Sequence, residues 1–308
     1  SYNWSEGKSV EVFDSTIVRV ESDDGRAGHG EVCPLGPVYL PAYAAGARAG
    51  IAELAPCLLG EDPTGLEALN RRMDSALKGH PYAKSAIDMA CWDLLGQAAD
   101  LPVCELLGGR YGEDFVLYRA ISQEAPDAMA AKVAGYRAEG YRRFQLKVGG
   151  DPDTDVERIR AALRDEARGY VDMGFAAMKM KIGYGAACDE RIVRAVREAI
   201  GPEVDLLVDC HQRFDFDAAM EIASQLEPLD LFWFEEPVPP ENVCAMREVK
   251  RCTRTPICAG ENLYTRWGFR DLIECQAVDV IMPDLPKCGG LSEAVSYTHL
   301  TLPTNREV

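Results

Sequence analysis

Three acidic residues end three apolar runs at equal steps: Asp209 after VDLLV, Glu235 after LFWF and Glu261 after PICAG, each 26 residues from the next. If those runs are strands of one barrel, the spacing sets three carboxylates side by side at one mouth. Converging anions repel strongly at low dielectric, so such a set needs a cation between them. An all-oxygen site that leaves positions for water and substrate suits Mg²⁺. Each acid alone could equally cap the helix after its strand, and the common register of all three weighs against that simpler reading.

A second group surrounds the first. Lys179 and Lys181 lie at i and i+2 in MKMKI, so both side chains leave one face of a strand, which inside a barrel is the interior. Two neighbouring ammoniums beside a metal lower each other's pKa, which makes a lysine a base near neutral pH. The alternative is a surface strand, yet an outward face here would be covered by helices. His211, two residues past Asp209, is expected to face the same side as Asp209, either as a catalytic group or as a structural histidine. Asp284 ends a further apolar run 23 residues past Glu261, with Lys287 just after it.

The elements that must carry these residues follow from periodicity. Residues 9–21 are rich in β-branched positions and lead into SDDGRAGHGE, which reads as a meander of short antiparallel strands. From about residue 42 to 106 the apolar spacing turns helical, which makes residues 1–115 an α+β unit. Short apolar runs at 116–121, 144–148, 178–182, 204–209, 231–236, 256–261 and 278–284 then alternate with amphipathic stretches, the pattern of a parallel sheet with helices outside it. Polar residues gathering at the C-terminal ends of those runs favour a barrel over an open sheet. With 308 residues, 47% of them hydrophobic, the chain can bury a large core, and its net charge of −17 argues against nucleic acid or an anionic membrane surface as partner. No run of ~18 apolar residues and no signal-peptide pattern is visible, so a cytoplasmic protein is expected. The eleven scattered cysteines, without a CxxC pair, read as reduced and mostly buried.

Taken together, AKSAIDMACWDLLGQ (83–97), LLGG (106–109), the KMK strand, Asp209, Glu235-Glu236-Pro237, Gly260-Glu261-Asn262 and MPDLPKCGG (282–290) resemble the mandelate racemase and muconate lactonizing enzyme branch of the enolase superfamily, up to about Ala294. The resemblance implies an N-terminal α+β capping domain and a modified (β/α)7β TIM-like barrel over 116–295, with Mg²⁺ on Asp209, Glu235 and Glu261. It implies Lys181 as the base that abstracts the proton α to a carboxylate, Lys179 as its electrostatic partner, and Asp284 as the residue that orients a histidine on the next strand. The segment GHGEVCPLGPVYL (28–40) resembles the cap loop that closes over substrate. The expected partner is therefore a small-molecule carboxylate, with homo-oligomerisation left open.

Two features depart from that pattern. YRAEGYRRFQLKVGG (136–150) and YVDMGFAAMKMKIGY (170–184) align at a constant offset of 34, placing Lys147 on Lys181, so Lys147 is a second candidate base. The first copy continues an N-terminal half like the hydroxyproline dehydratases, and the second leads into Asp209-Cys210-His211, like the sugar-acid dehydratases, where a histidine at this position can be the general acid. A join of two related sequences near 161–166 accounts for the repeat. The stretch SYTHLTLPTNREV (296–308) follows no barrel periodicity and is expected to be non-native, which would leave the barrel incomplete. The function expected is dehydration of a sugar acid or hydroxyproline through an enolate. Racemisation or epimerisation is the alternative within the same chemistry, and an inactive chimera the alternative outside it.

Overall fold

A computed structural model describes residues 2–3, 9–37, 41–110, 112–114, 117–141, 143–146, 153–154, 157–158 and 177–300. Lys147, most of the second copy of the repeat before Ala177, the expected join at 161–166 and residues 301–308 lie outside them. The chain divides into two compact units. The first comprises 1–11, 114–259 and 275–281, and the second 12–113, 260–274 and 282–308. In the first unit, β1 (Tyr2–Asn3) and β2 (Ser9–Val10) form a short antiparallel pair.

The second unit opens with an antiparallel hairpin of β3 (Thr16–Glu21) and β4 (Ala27–Val32), followed by α1 (Ala44–Leu58), α2 (Leu66–Ala76), α3 (Pro81–Ala99) and α4 (Val103–Leu106). Val18 and Val20 of β3 pack with Leu54, Leu69, Met73 and Ile87. The GHG of β4, which reads in sequence as turn chemistry, lies against α3. A Cβ at Gly28 or Gly30 would come within 2.0 Å of the carbonyl oxygens of Ala90 and Ala86, so glycine on the strand and alanine on the helix permit the contact.

The strands expected from sequence form two parallel groups. β5 (Tyr118–Ile121), α5 (Pro126–Ala138) and β6 (Arg143–Leu146) make one βαβ unit. A five-stranded sheet holds β7 (Ala177–Lys181), β8 (Asp205–Asp209), β9 (Leu231–Glu235), β10 (Ile257–Ala259) and β11 (Val280–Ile281), adjacent in that order. Helices α6 (Ala186–Ile200), α7 (Phe216–Leu226) and α8 (Val243–Cys252) connect successive strands, and Asp215 and Asn242 cap α7 and α8 by accepting from the Ala218 and Ala245 amides. Leu206, Val208, Phe234 and Ile257 are buried on the strands, as are Val193, Val196, Ile222 and Met246 on the helices. Arg197 of α6 donates to the carbonyls of Gly201, Val204, Leu229 and Asp230, tying together the loops that enter β8 and β9. The last two strands are shorter than the apolar runs, because the chain leaves the ladder before Glu261 and before Asp284.

Helices α9 (Thr265–Glu274), α10 (Leu285–Cys288) and α11 (Leu291–Leu300) belong to the second unit. The segment expected to be non-native thus begins inside α11. Asp88 of α3, buried, accepts from the Ser292 amide at 3.0 Å and from Asn70 at 2.9 Å, while Trp92 donates to the Ser292 hydroxyl at 3.0 Å. Part of the AKSAIDMACWDLLGQ signature therefore serves to hold the start of α11.

Burial pushes the Asp88 carboxyl above its ordinary 3.8, outweighing its hydrogen bonds from Ser292 and Asn70. The native state then binds this proton more tightly than the unfolded chain, so the group's contribution to stability falls as pH rises from 3.8 to the raised native value. In urea titrations, the stability of the natural chain minus that of Asp88→Asn is expected to decline across that window; a difference that grows with pH would contradict it.

Candidate active site

The parallel register sets the site. Lys181 pairs with Asp209 and Asp209 with Glu235, so the last residues of β7, β8 and β9 form one row. Lys179, two residues back on β7, leaves the same face. Its Nζ stands 2.6 Å from Oε1 and 2.5 Å from Oε2 of Glu235, and 3.6 Å from Asp209. Lys181 Nζ lies 3.0 Å from Asp209 Oδ2. The two carboxylate side chains are 2% and 0% exposed, so each is committed to a partner inside the protein. Burial by itself would raise the Asp209 carboxyl, but the Lys181 and Lys179 ammoniums outweigh it and hold the group below the usual carboxylate range. Removing one member of such a buried pair typically costs about 3–5 kcal/mol, because the other charge is left unanswered.

The loops past the strands brace this row. Trp233 donates through Nε1 to Glu235 Oε2 at 3.1 Å, and the His211 amide donates to Asp209 Oδ1 at 3.0 Å. His211 and Gln212 have left-handed backbone, with φ of 50° and 63°. β8 ends at Asp209, and the turn that follows sets the His211 amide on the Asp209 carboxylate, on which the His211 side chain also acts electrostatically. Gln212 reaches across to Glu236 at 2.7 Å. Burial, with the Glu235 charge adding to it, pushes the Cys258 thiol of β10 to about 12, so it stays neutral.

Two residues that motif reasoning passed over hold the loop leaving Lys181. Asp189, fully buried in the first turn of α6, accepts at Oδ2 from the amides of Gly183, Tyr184 and Gly185 at 3.1, 3.1 and 3.2 Å. Arg213 lies against the same loop, its guanidinium 5.3 Å from the Tyr184 ring centroid. The signal was present as a G-x-G followed by an acid four residues on, the pattern of an anion set into a helix start.

Glu261, Asp284 and Lys287 are in the second unit. Asp284, expected to orient a histidine, caps α10, accepting from the Lys287 amide, and pairs with the Lys287 ammonium at 3.2 Å. Lys287 Nζ also donates to the Glu261 carbonyl at 3.3 Å, and Asn262 Nδ2 to the Glu261 carboxylate at 3.4 Å. Among the described residues no three His, Cys, Asp or Glu side chains are grouped to hold a metal, Asp209 and Glu235 being engaged by lysines. Their chemistry nonetheless suits a hard cation: oxygen donors on adjacent strand ends, buried, with ammoniums already supplying the positive charge they require.

Parallel strands joined by helices, with charged residues in one row at their C-terminal ends, are the arrangement of α/β proteins of the TIM-barrel class. The chain matches the mandelate racemase / muconate lactonizing enzyme N-terminal domain over residues 8–108 and the enolase C-terminal domain-like family over 162–303. It is 60% identical over 160 residues to the cis-3-hydroxy-L-proline dehydratase of Roseibium aggregatum, an alignment covering 52% of this chain and 44% of that protein. It is 30% identical over 286 residues to the N-succinyl-L-Arg/Lys racemase of Bacillus cereus, covering 92% and 68%, and 32% identical over 289 residues to the D-xylonate dehydratase of Haloferax volcanii, covering 90% and 63%. The crystal structure of N-succinyl Arg/Lys racemase from B. cereus superposes with a TM-score of 0.74 at 29% identity over 97% of this chain and 72% of that one. A dipeptide epimerase from Enterococcus faecalis complexed with Mg and L-Leu-L-Tyr gives 0.73 at 27% identity over 97% and 74%. The chain belongs to the mandelate racemase/muconate lactonizing enzyme family of the enolase superfamily. It spans less than half the length of the hydroxyproline dehydratase that it matches and about two thirds of the other two relatives.

Gly183 allows Arg213 to lie where it does: its φ is +120°, and a Cβ there would stand 2.5 Å from Arg213 Cδ. Gly183→Ala is expected to destabilise the fold by about 1–3 kcal/mol in chemical denaturation. Adding Arg213→Ala should recover the steric share and leave the backbone share; full additivity of the two losses would sink this account.

Proposed function

We propose that this chain carries the site of a Mg²⁺-dependent acid dehydratase that abstracts the proton α to a substrate carboxylate. The observation that carries the reading is the row Lys181, Asp209 and Glu235 on the ends of three adjacent parallel strands, with Lys179 beneath it. Asp209 and Glu235 would hold Mg²⁺, which when bound supplies positive charge opposite the substrate carboxylate. Lys181 then takes the proton from the α-carbon, and Lys179 keeps a fixed positive charge beside the oxygens on which negative charge develops. His211 returns a proton to the departing hydroxyl, so that water leaves. Asp284 and Lys287 are assigned a supporting place through the helix cap. The substrate class is a hydroxyproline or a sugar acid, on the likeness to the cis-3-hydroxy-L-proline and D-xylonate dehydratases.

Racemisation is favoured instead by the likeness to the N-succinyl-L-Arg/Lys racemase, which extends over 92% of the chain. The two readings separate by product. Incubation with Mg²⁺ and cis-3-hydroxy-L-proline or D-xylonate, followed by NMR, should show loss of water from substrate. Exchange of the α-proton with solvent deuterium in N-succinyl amino acids, with no loss of water, would replace dehydration by racemisation. Lys181→Ala is expected to lower turnover by about 10²–10⁴. Full activity in that variant together with loss in Lys147→Ala would move the base to the first copy of the repeat, and no turnover or exchange on any of these substrates with Mg²⁺ would overturn the proposal.

A further inference from the structure

The second unit contains a cavity of about 670 Å³, within the range of small-ligand sites and lined by none of the residues assigned to proton abstraction. Its walls come from the starts of α1 and α3, the end of α2 and the segments around Tyr264 and Gly289. Three features give it a chemistry. Aromatic rings frame it: Tyr82 and Tyr264 lie 6.4 Å apart at 57°, with Trp267, 68% exposed, beside them. The Tyr264 hydroxyl is enclosed and has no hydrogen-bond partner, a state that costs about 1–3 kcal/mol unless an acceptor arrives. Burial also pushes this phenol up, so it remains a donor.

Charge is the third feature. Of the two carboxylates on the wall, Asp74 is answered by the buried Lys84 at 2.7 Å and Glu293 by Arg266 at 2.9 Å. Lys78 donates to a neutral acceptor, the Asp74 carbonyl, at 2.7 Å, so of the two lysines on the described wall one is held by a carbonyl and not by a carboxylate. A cavity that combines an ammonium held only by a carbonyl, an unused hydroxyl donor and aromatic walls suits an anion carrying a ring.

We propose that this cavity is a second binding site, for a small ring-bearing carboxylate whose ring packs against Tyr82, Tyr264 and Trp267 and whose carboxylate meets the Tyr264 hydroxyl and the Lys84 and Lys78 ammoniums. The site stands whether or not the dehydratase reading holds.

The probe is benzoate, titrated calorimetrically into the full chain with benzamide as its neutral counterpart. Saturable binding with one site is expected, at least tenfold weaker for benzamide. Tyr264→Phe should weaken benzoate about tenfold and Lys84→Met further. Lys181→Met should leave the titration unchanged, which separates this cavity from uptake at the lysine pair. Benzoate should also change the tryptophan fluorescence, and Trp267→Phe should abolish that change. No saturable heat, equal affinity for benzamide, sensitivity to Lys181→Met in place of Tyr264→Phe, or a fluorescence response that survives Trp267→Phe would each overturn the proposal. If Lys84→Met does not fold, the near-isosteric Tyr264→Phe decides.

Discussion

Two carboxylates at the ends of neighbouring parallel strands, Asp209 and Glu235, have almost no contact with water, and the rest of the first unit is arranged around that fact. Buried anions are tolerable only when answered at close range, and the answer comes from the adjacent strand as Lys179 and Lys181. The gain is less in stability than in uniqueness. Replacing such a pair by apolar side chains is often neutral, but a one-residue slip of β7 against β8 would turn both lysines to the other face and leave Asp209 and Glu235 unpaired. Register is therefore fixed twice, by the apolar core and by the charges. The bracing residues follow: the Trp233 indole and the His211 amide take up carboxylate lone pairs that the lysines leave, and Asp189 holds the loop that the lysine strand enters.

Much of this was legible in the sequence because it depends on local alternation. Each of the seven apolar runs marked a parallel strand among the described residues. The i, i+2 spacing of the lysines and the equal spacing of the acids required the residues of β7, β8 and β9 to meet once the strands were parallel and in register. What was not legible depends on where a strand stops. His211, Glu236 and Glu261 follow the same apolar runs as their neighbours, yet the chain leaves the ladder before them through left-handed backbone at His211, Glu236 and Gly260, which side-chain type does not announce. The alternation rule stops at that point, and the approach of the His211 amide to Asp209 is set by the turn and not by the strand.

A second kind of misreading came from residues whose job is contact between elements. The glycines at 28 and 30 look like turn residues, and only the approach of β4 to the Ala86 and Ala90 carbonyls shows that they are small for packing. Asp88 sits in a stretch that carries the family resemblance, and it accepts from Asn70 and from the start of α11, more than 200 positions along the chain. The tertiary partner decides each case, and single-sequence periodicity carries no information about it.

Charge counting connects the observed pairing to the proposed chemistry. As the row stands, two carboxylates face two ammoniums and the group is neutral, which is why it can be buried. If a divalent cation enters and Lys181 gives up its proton so that it can serve as the base, two carboxylates meet three positive charges, and the surplus in a low-dielectric setting must be answered by an anion. A substrate carboxylate restores neutrality; a neutral substrate would not, and would bind against the cost of an isolated buried charge. Transfer of the α-proton to Lys181 requires that lysine to be neutral beforehand, so it must first give up its ion pair with Asp209, whose charge the divalent cation would then balance. On this reading the lysine–carboxylate pairs are the resting arrangement of a site whose charges are exchanged one for another as it is loaded, and selection for carboxylates follows from that balance before any loop contacts the substrate.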